Sequence, residues 1–260
     1  MYQEVCISLG KRRGFTMAEL LNQIEEYWST RVEGYSEVNE KEINGTQKEN
    51  WLRVLEERFP DKAKADLKIL DVGTGPGFFP RILSEAGYYV TAVDYTEDML
   101  EKAKENTKEY QSQIEFYRMD AQNLEFENNQ FDVVISRNLT WTLPHAEEAY
   151  QEWKRVLKPG GILLNFDANY GNDDCSDTSG LPKNHAHYTV GDELLQECEE
   201  IKKQLPISSY ARPAWDLNVL GKAGFSKFGI DLEISSRIYI EKDEFYNPTP
   251  LFMLCSRKAF

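Results

Sequence analysis

Cysteine is scarce in this 260-residue chain: Cys6, Cys175, Cys198 and Cys255 lie far apart, with no Cys-x-x-Cys pair. Such spacing offers no disulfide framework and fits free thiols in a reducing cytoplasm. Long apolar runs are lacking too, and no stretch approaches the length of a membrane span. Residues 1–15 carry Lys11, Arg12 and Arg13 with no apolar run behind them, which argues against a secretory signal. Basic charge is in deficit: 30 Lys and Arg stand against 44 Asp and Glu, a net charge of −14. Beyond residues 11–13 no basic cluster exists to grip phosphates. Nucleic acid is therefore disfavoured, no membrane association is expected, and a small molecule is the default partner.

What the chain does have is 41% apolar residues, enough for the core of one large α/β unit. Apolar runs alternate with helical stretches, which argues for a mostly parallel sheet covered on both faces. The most informative run is Ile69-Leu70-Asp71-Val72-Gly73-Thr74-Gly75-Pro76-Gly77. A strand breaks here into a turn with glycine at every second position, where backbone and ligand can approach closely. A helix over residues 78–87 and a second strand ending at Asp94 complete a βαβ unit. Asp94 then stands where a carboxylate accepts hydrogen bonds from both hydroxyls of a ribose. The dinucleotide fingerprint Gly-x-Gly-x-x-Gly needs glycine at 78, and Phe78 stands there.

The spacing Gly73-x-Gly75-x-Gly77, with Asp71 two residues ahead, resembles the first motif of the class I S-adenosylmethionine-dependent methyltransferases. Further features follow in that family's order. A third strand-like run at residues 114–119 ends at Asp120-Ala121, and a fourth at residues 131–135 leads into Ser136-Arg137-Asn138-Leu139. A helix-Leu157-Lys158-Pro159-Gly160-Gly161-strand sequence follows, its role being to stop a helix and turn the chain into a buried strand. The resemblance is strong over about residues 65–168 and is of the small-molecule type, similar to ubiquinone and menaquinone methyltransferases. It implies a doubly wound, Rossmann-like sheet of seven strands, mostly parallel, with the last strand antiparallel. It further implies S-adenosylmethionine as cofactor. Asp71, Gly73, Gly75 and Gly77 would line its methionine part, Asp94 with neighbouring Tyr95 its ribose, and Asp120 with Ala121 its adenine. Asn138 would face the cofactor, and Met99 would pack on it or simply fill core. The loop after the fourth strand lacks the Pro-Pro-Tyr or Pro-Pro-Phe element of methyltransferases acting on base amino groups, and no Pro-Cys nucleophile of the cytosine C5 type occurs.

The flanks are expected to choose the substrate within a single domain. Residues 1–60 read as an N-terminal helical cap, 61–168 as the cofactor-binding core, 169–206 as an insertion, and 207–260 as the end of the sheet. Leu20, Leu21, Ile24, Tyr27 and Trp28 keep helical spacing over residues 17–28. Trp28 and Tyr35 resemble the aromatic entry segment that folds over the cofactor in small-molecule members, although packing alone would equally explain Trp28. A second helix is expected over residues 40–58, with Trp51, Leu52, Leu55 and Phe59 on its core stripe. The polar stretch at 169–180 and a helix begun by a capping box at Thr189–Asp192 read as a lid. A helix at 212–224 then leads to last strands expected at 228–234 and 249–255.

Methyl transfer from a sulfonium asks mainly for orientation of the acceptor. A general base is needed only where the acceptor must lose a proton. The candidates are His145, Asp167, Tyr170 and His185, with His187 beside the last. For His145 a surface or capping position after Pro144 is the plainer reading. No ligand spacing around His185 and His187 supports a metal, and none is expected. Two other readings stay open here: an S-adenosylmethionine-binding protein without turnover, and an NAD-dependent oxidoreductase, which Phe78 opposes.

Overall fold

A strand without polar alternation has to be covered on both faces, and β1 (Ile69–Val72) is buried at every residue. It lies inside a seven-stranded sheet, between β2 (Val90–Asp94) and β4 (Phe131–Arg137), with β3 (Ile114–Arg118), β5 (Leu157–Asp167), β6 (Phe225–Asp231) and β7 (Phe252–Lys258). The strand order is β3-β2-β1-β4-β5-β7-β6. The first five strands pair in parallel, and β7 runs antiparallel between β5 and β6. The structure, a computed structural model, describes residues 17–174, 177, 179–185, 187–240, 243–245 and 247–260. The Lys11-Arg12-Arg13 run, Cys6 and Cys175 lie outside the described residues.

Helices cover both faces. Side chains alternate across a strand, so Leu70 and Val72 look one way and Ile69 the other. The first face packs on α1 (Met17–Asn44), α5 (Ala146–Val156), α7 (Asp192–Lys202) and α8 (Ala214–Ala223), through Ile24, Tyr150, Trp153, Ile201 and Leu220. The second packs on α2 (Gln47–Glu56), α3 (Phe78–Glu85) and α9 (Ile234–Ile238), through Trp51, Leu55, Phe79, Ile82 and Ile234. Trp51 centres that layer: its ring meets Phe79 and Phe166 edge-on at 5.4 and 5.0 Å, and its indole N–H donates to Glu42 Oε1 at 2.6 Å. Truncating a core indole of this kind costs about 3–5 kcal/mol. α4 (Glu97–Asn106) and the short α6 (His187–Val190) complete the elements.

Five expectations are corrected. The first helix runs on from residue 28 to Asn44, because Gly34 has open space where a side chain would stand and costs only propensity. The second starts at Gln47, after the break at Gly45, rather than at residue 40. No capping box starts α7: Gly191 occupies its N-cap, with no side-chain cap bond. The last two strands are displaced by three residues, toward the N-terminus for β6 and toward the C-terminus for β7. Phe228, Ile230 and Leu232, which drew the expected strand onward, are exposed at the sheet's edge, and the chain turns into α9 at Ile234. β5 already starts at Leu157, with Gly160 at φ +77° and a register irregularity opposite Phe131 and Val133.

Candidate functional site

The chain leaves β1 toward β2 on one side of the sheet and returns to β4 on the other, so a crevice opens above the carboxyl ends of β1 and β4. The glycine turn forms its floor. The N–H groups of Gly73 and Thr74 both donate to the carbonyl of Val93, at 2.9 and 3.0 Å, tying the turn to β2. Gly73, Gly75 and Gly77 all have positive φ, as the motif requires. A Cβ on Gly73 would stand 2.7 Å from Leu139, and one on Gly77 only 3.2 Å from the backbone of Ala103 in α4.

Asp94 closes the turn from the other side. Its Oδ2 accepts the Gly75 N–H at 2.8 Å and its Oδ1 accepts the Thr96 N–H at 2.9 Å. Burial pushes this carboxyl up from its usual range, while hydrogen bonds from Thr96, Gly75 and Tyr95 pull it back. Asp71, behind the turn, is pushed up to about 7 by burial, with the Asp94 charge adding to it. Asp120 is oriented by Gln122, whose backbone N–H and side-chain amide both donate to Oδ1, at 2.9 and 3.0 Å. Gln122 in turn accepts the His145 N–H at 2.7 Å.

These residues share one cavity. Its wall brings together Trp28 and Tyr35 from α1, Gly73, Gly75, Asp94, Tyr95, Met99, Asp120, Ala121 and Asn138. Ten of the twelve expected cofactor and substrate residues thus meet. Asp71 and Gly77 are not in the wall, because Asp71 is buried within the sheet and Gly77 caps α3 against α4. Their place is behind the turn, shaping it.

The four proton-transfer candidates stand elsewhere. Asp167 is fully buried, accepting from Arg212 Nη1 at 3.1 Å, the Trp141 N–H at 3.0 Å and the Thr140 hydroxyl. It holds the loop after β4 in place. Tyr170 donates to Asn138 Oδ1 at 3.2 Å, packs edge-on against Trp141 at 5.0 Å, and is held protonated chiefly by burial. His145 sits at the N-cap of α5 without a side-chain cap bond, and His185 is buried in the 180s segment. None of the four lines the cavity. The side chain of His187 lies outside what is described. Among the described residues, no three His, Cys, Asp or Glu side chains gather where a metal ion would fit.

Among the described residues, those of the expected lid stay clear of the wall as well. Cys198, Ile201 and Leu205 instead border a smaller apolar gap with Ile24, Tyr27, Trp28, Trp141 and Thr142. Trp28, with Ile24 and Thr142, borders both the main cavity and this gap. It meets Tyr35 at 5.7 Å and Trp141 at 6.4 Å between ring centroids.

Comparison with known proteins places this geometry. Residues 70–165 match the family model described as a methyltransferase domain. The glycine/sarcosine N-methyltransferase of Aphanothece halophytica is 30% identical over 199 residues, which cover 73% of this chain and 72% of that protein. The chain belongs to the class I S-adenosylmethionine-dependent methyltransferase family. A demethylmenaquinone methyltransferase of Staphylococcus haemolyticus is 40% identical over 104 residues, 39% of this chain and 43% of that one. With several such curated relatives the chain matches over 32% to 55% of their length. In fold, it superposes on the Haemonchus contortus phosphoethanolamine N-methyltransferase 2, solved in complex with S-adenosyl-L-methionine. That match has a TM-score of 0.62 at 19% identity and covers 91% of this chain and 60% of that one.

Beyond the residues singled out, Leu21, Ile24, Met119 and Thr142 also line the cavity, as do Arg137 and Leu139 of the loop that the family resemblance turns toward the cofactor. The apolar ones carry no signal that separates a cavity wall from a core. Arg137 did carry one, an arginine amid the apolar end of β4. It is nine-tenths buried, ion-paired to Glu42 at 2.6 Å and stacked 4.1 Å from the Phe78 ring centroid. Burial works against its charge, but Glu42, Tyr239 and Tyr35 together more than offset that and raise its pKa.

Proposed function

We propose that this protein binds S-adenosylmethionine in the cavity above β1 and β4 and transfers its methyl group to a nucleophilic atom of a small molecule. The observation that carries the reading is Asp94, a cavity-wall carboxylate that holds the glycine turn through Oδ2 and the Thr96 N–H through Oδ1. A carboxylate fixed in this way suits two adjacent ribose hydroxyls, and Asp120, fixed by Gln122, suits an exocyclic amine at the adenine end. The bound cofactor would supply an electrophilic methyl group, leaving the chain to orient the acceptor and keep water out. Trp28, Tyr35 and Leu139 form the apolar side of the cavity where an acceptor would lie. With the four titratable candidates outside the wall, catalysis by proximity is the favoured mode, which suits an acceptor that is nucleophilic without a dedicated base.

A small-molecule acceptor is supported by the charge of −14 and by the glycine/sarcosine relative. No helix of the described residues is long and apolar enough to cross a membrane. Neither Cys198 nor Cys255 is in a disulfide among the described residues, which supports the cytoplasm as the working compartment. We read the insertion at 169–206 as a cover that reaches the acceptor side through α7 and Trp28.

Calorimetric titration with S-adenosylmethionine, S-adenosylhomocysteine and NAD in parallel tests the reading. Binding of the first two without NAD is expected. Tight NAD binding would overturn it. Cofactor binding without transfer of labelled methyl to any of a broad set of metabolites would favour a binding protein without turnover.

A further inference from the structure

The carboxyl ends of four neighbouring strands carry the cavity's polar groups in a row. Along the order β3-β2-β1-β4 these are Asp120, Asp94, the glycine turn and Arg137. If adenine lies at Asp120 and ribose at Asp94, the methionine part crosses the turn, and the amino-acid end of the cofactor arrives over β4. Arg137, the last residue of β4, stands there and is the one cation among the described wall residues.

Its guanidinium is incompletely used. Nη2 donates to Glu42 Oε2 at 2.6 Å, whereas the buried Nε and Nη1 have no partner. A buried donor left without an acceptor is costly, the more so when charged, so one that persists calls for a partner from outside the chain. The side chain is also held rigidly. Its guanidinium carbon lies 4.1 Å from the Phe78 ring centroid and 4.9 Å from that of Trp51. Glu42 cannot swing across to satisfy the remaining nitrogens, since its Oε1 accepts from Trp51 Nε1 at 2.6 Å and from the Tyr239 hydroxyl at 2.8 Å.

We infer that Arg137 is the receptor for the α-carboxylate of the cofactor, with Glu42 as the residue that positions it. The inference rests on the cofactor reading above and assigns the remaining end of the same ligand. A preorganised, desolvated guanidinium suits a carboxylate better than any other group the cofactor offers. Because Glu42 belongs to α1, whose Trp28 and Tyr35 also line the cavity, filling the site would join the cofactor's amino-acid end to the helix that covers it.

The test compares S-adenosylmethionine with decarboxylated S-adenosylmethionine, which keeps adenine, ribose, sulfonium and amine. Calorimetry on the unaltered protein should show the carboxylate-bearing form bound about ten- to a hundredfold more tightly, the worth of a hydrogen bond to a charged group. In Arg137→Met that preference should vanish through loss of affinity for S-adenosylmethionine alone, and Arg137→Lys should restore part of it. Since Arg137→Met leaves Glu42 as an unpaired buried carboxylate, the double variant Glu42→Gln/Arg137→Met provides a neutral site, and the same loss is expected there. Equal binding of both ligands by the unaltered protein would overturn the assignment, as would a preference that survives in the double variant. Failure of both ligands to bind the unaltered protein would instead remove the cofactor reading beneath it.

Discussion

The carboxylate of Asp94, at the end of β2, holds the backbone N–H of Gly75, in the turn after β1, at 2.8 Å. Nineteen residues apart in the chain, the two form a single edge of the cavity. The bond does two things at once: it fixes a turn whose φ values few residues tolerate, and it aims a half-buried carboxylate at the cavity. Strand pairing makes this possible, because Val72 sits opposite Val93 in a parallel register and brings the two strand ends level.

Asp94→Ala should weaken S-adenosylhomocysteine binding by well over tenfold, since charge-assisted hydrogen bonds are worth about 1.5–3 kcal/mol each. Titration calorimetry reads it directly. Asp94→Asn, which keeps an acceptor oxygen, should lose less. Unchanged affinity in Asp94→Ala would remove the ribose assignment.

Gly73→Ala is expected to destabilise the fold by about 1–3 kcal/mol and to abolish cofactor binding. Its φ of +71° strains any residue with a Cβ, and the added carbon would stand 2.7 Å from Leu139. Combining it with Leu139→Ala relieves the collision but leaves the strain, so thermal unfolding should show only partial recovery.

Arg212 is buried between Asp167 and Asp216, at 3.1 and 2.8 Å. Arg212→Leu would leave two carboxylates buried without their cation. We expect a loss of about 3–5 kcal/mol in denaturant unfolding. Asp167→Asn should likewise be read in stability and in the loop at residues 140–142. A normally stable Asp167→Asn protein without turnover would instead restore Asp167 as a catalytic base.

Asp71 gives the protein a defined pH dependence. Burial raises its pKa from 3.8 to about 7 in the fold, so the folded state holds a proton that the unfolded chain releases above about pH 4. Its contribution to stability is complete below pH 4 and is lost as the pH rises to about 7. At 1.36 kcal/mol per unit, the ceiling is about 4 kcal/mol. Asp71→Asn mimics the protonated form. The stability difference between the unaltered protein and this variant should fall across that window and level off above it. A difference independent of pH would show that the carboxyl is not held protonated.

Much of the site was legible because it is local. The turn at Gly73–Gly77 needs residues that accept positive φ, and no tertiary contact can supply that freedom to another side chain. Asp94 and Asp120 were legible because a strand's end announces itself where an apolar run stops. The displaced boundaries of β6 and β7 have the opposite cause: Phe228, Ile230 and Leu232 read as buried strand, yet they sit on a sheet edge that nothing among the described residues covers. Asp167 read as a base at a strand's carboxyl end, since Arg212 is 45 residues away and its approach is invisible in one dimension.

The order of its residues alone determined that this chain would wind a parallel sheet around a glycine turn and place acidic groups at the ends of its second and third strands. Backbone conformational preference and apolar periodicity act over a few residues, and they suffice for that. Tertiary structure decided the rest: that α1 continues to Asn44 and brings Trp28, Tyr35 and Glu42 to the site, that Asp167 is spent on Arg212, and that Arg137 keeps two nitrogens for a ligand. Each depends on which distant groups share a low-dielectric interior, where a charge must find its partner and an unpaired donor stands out.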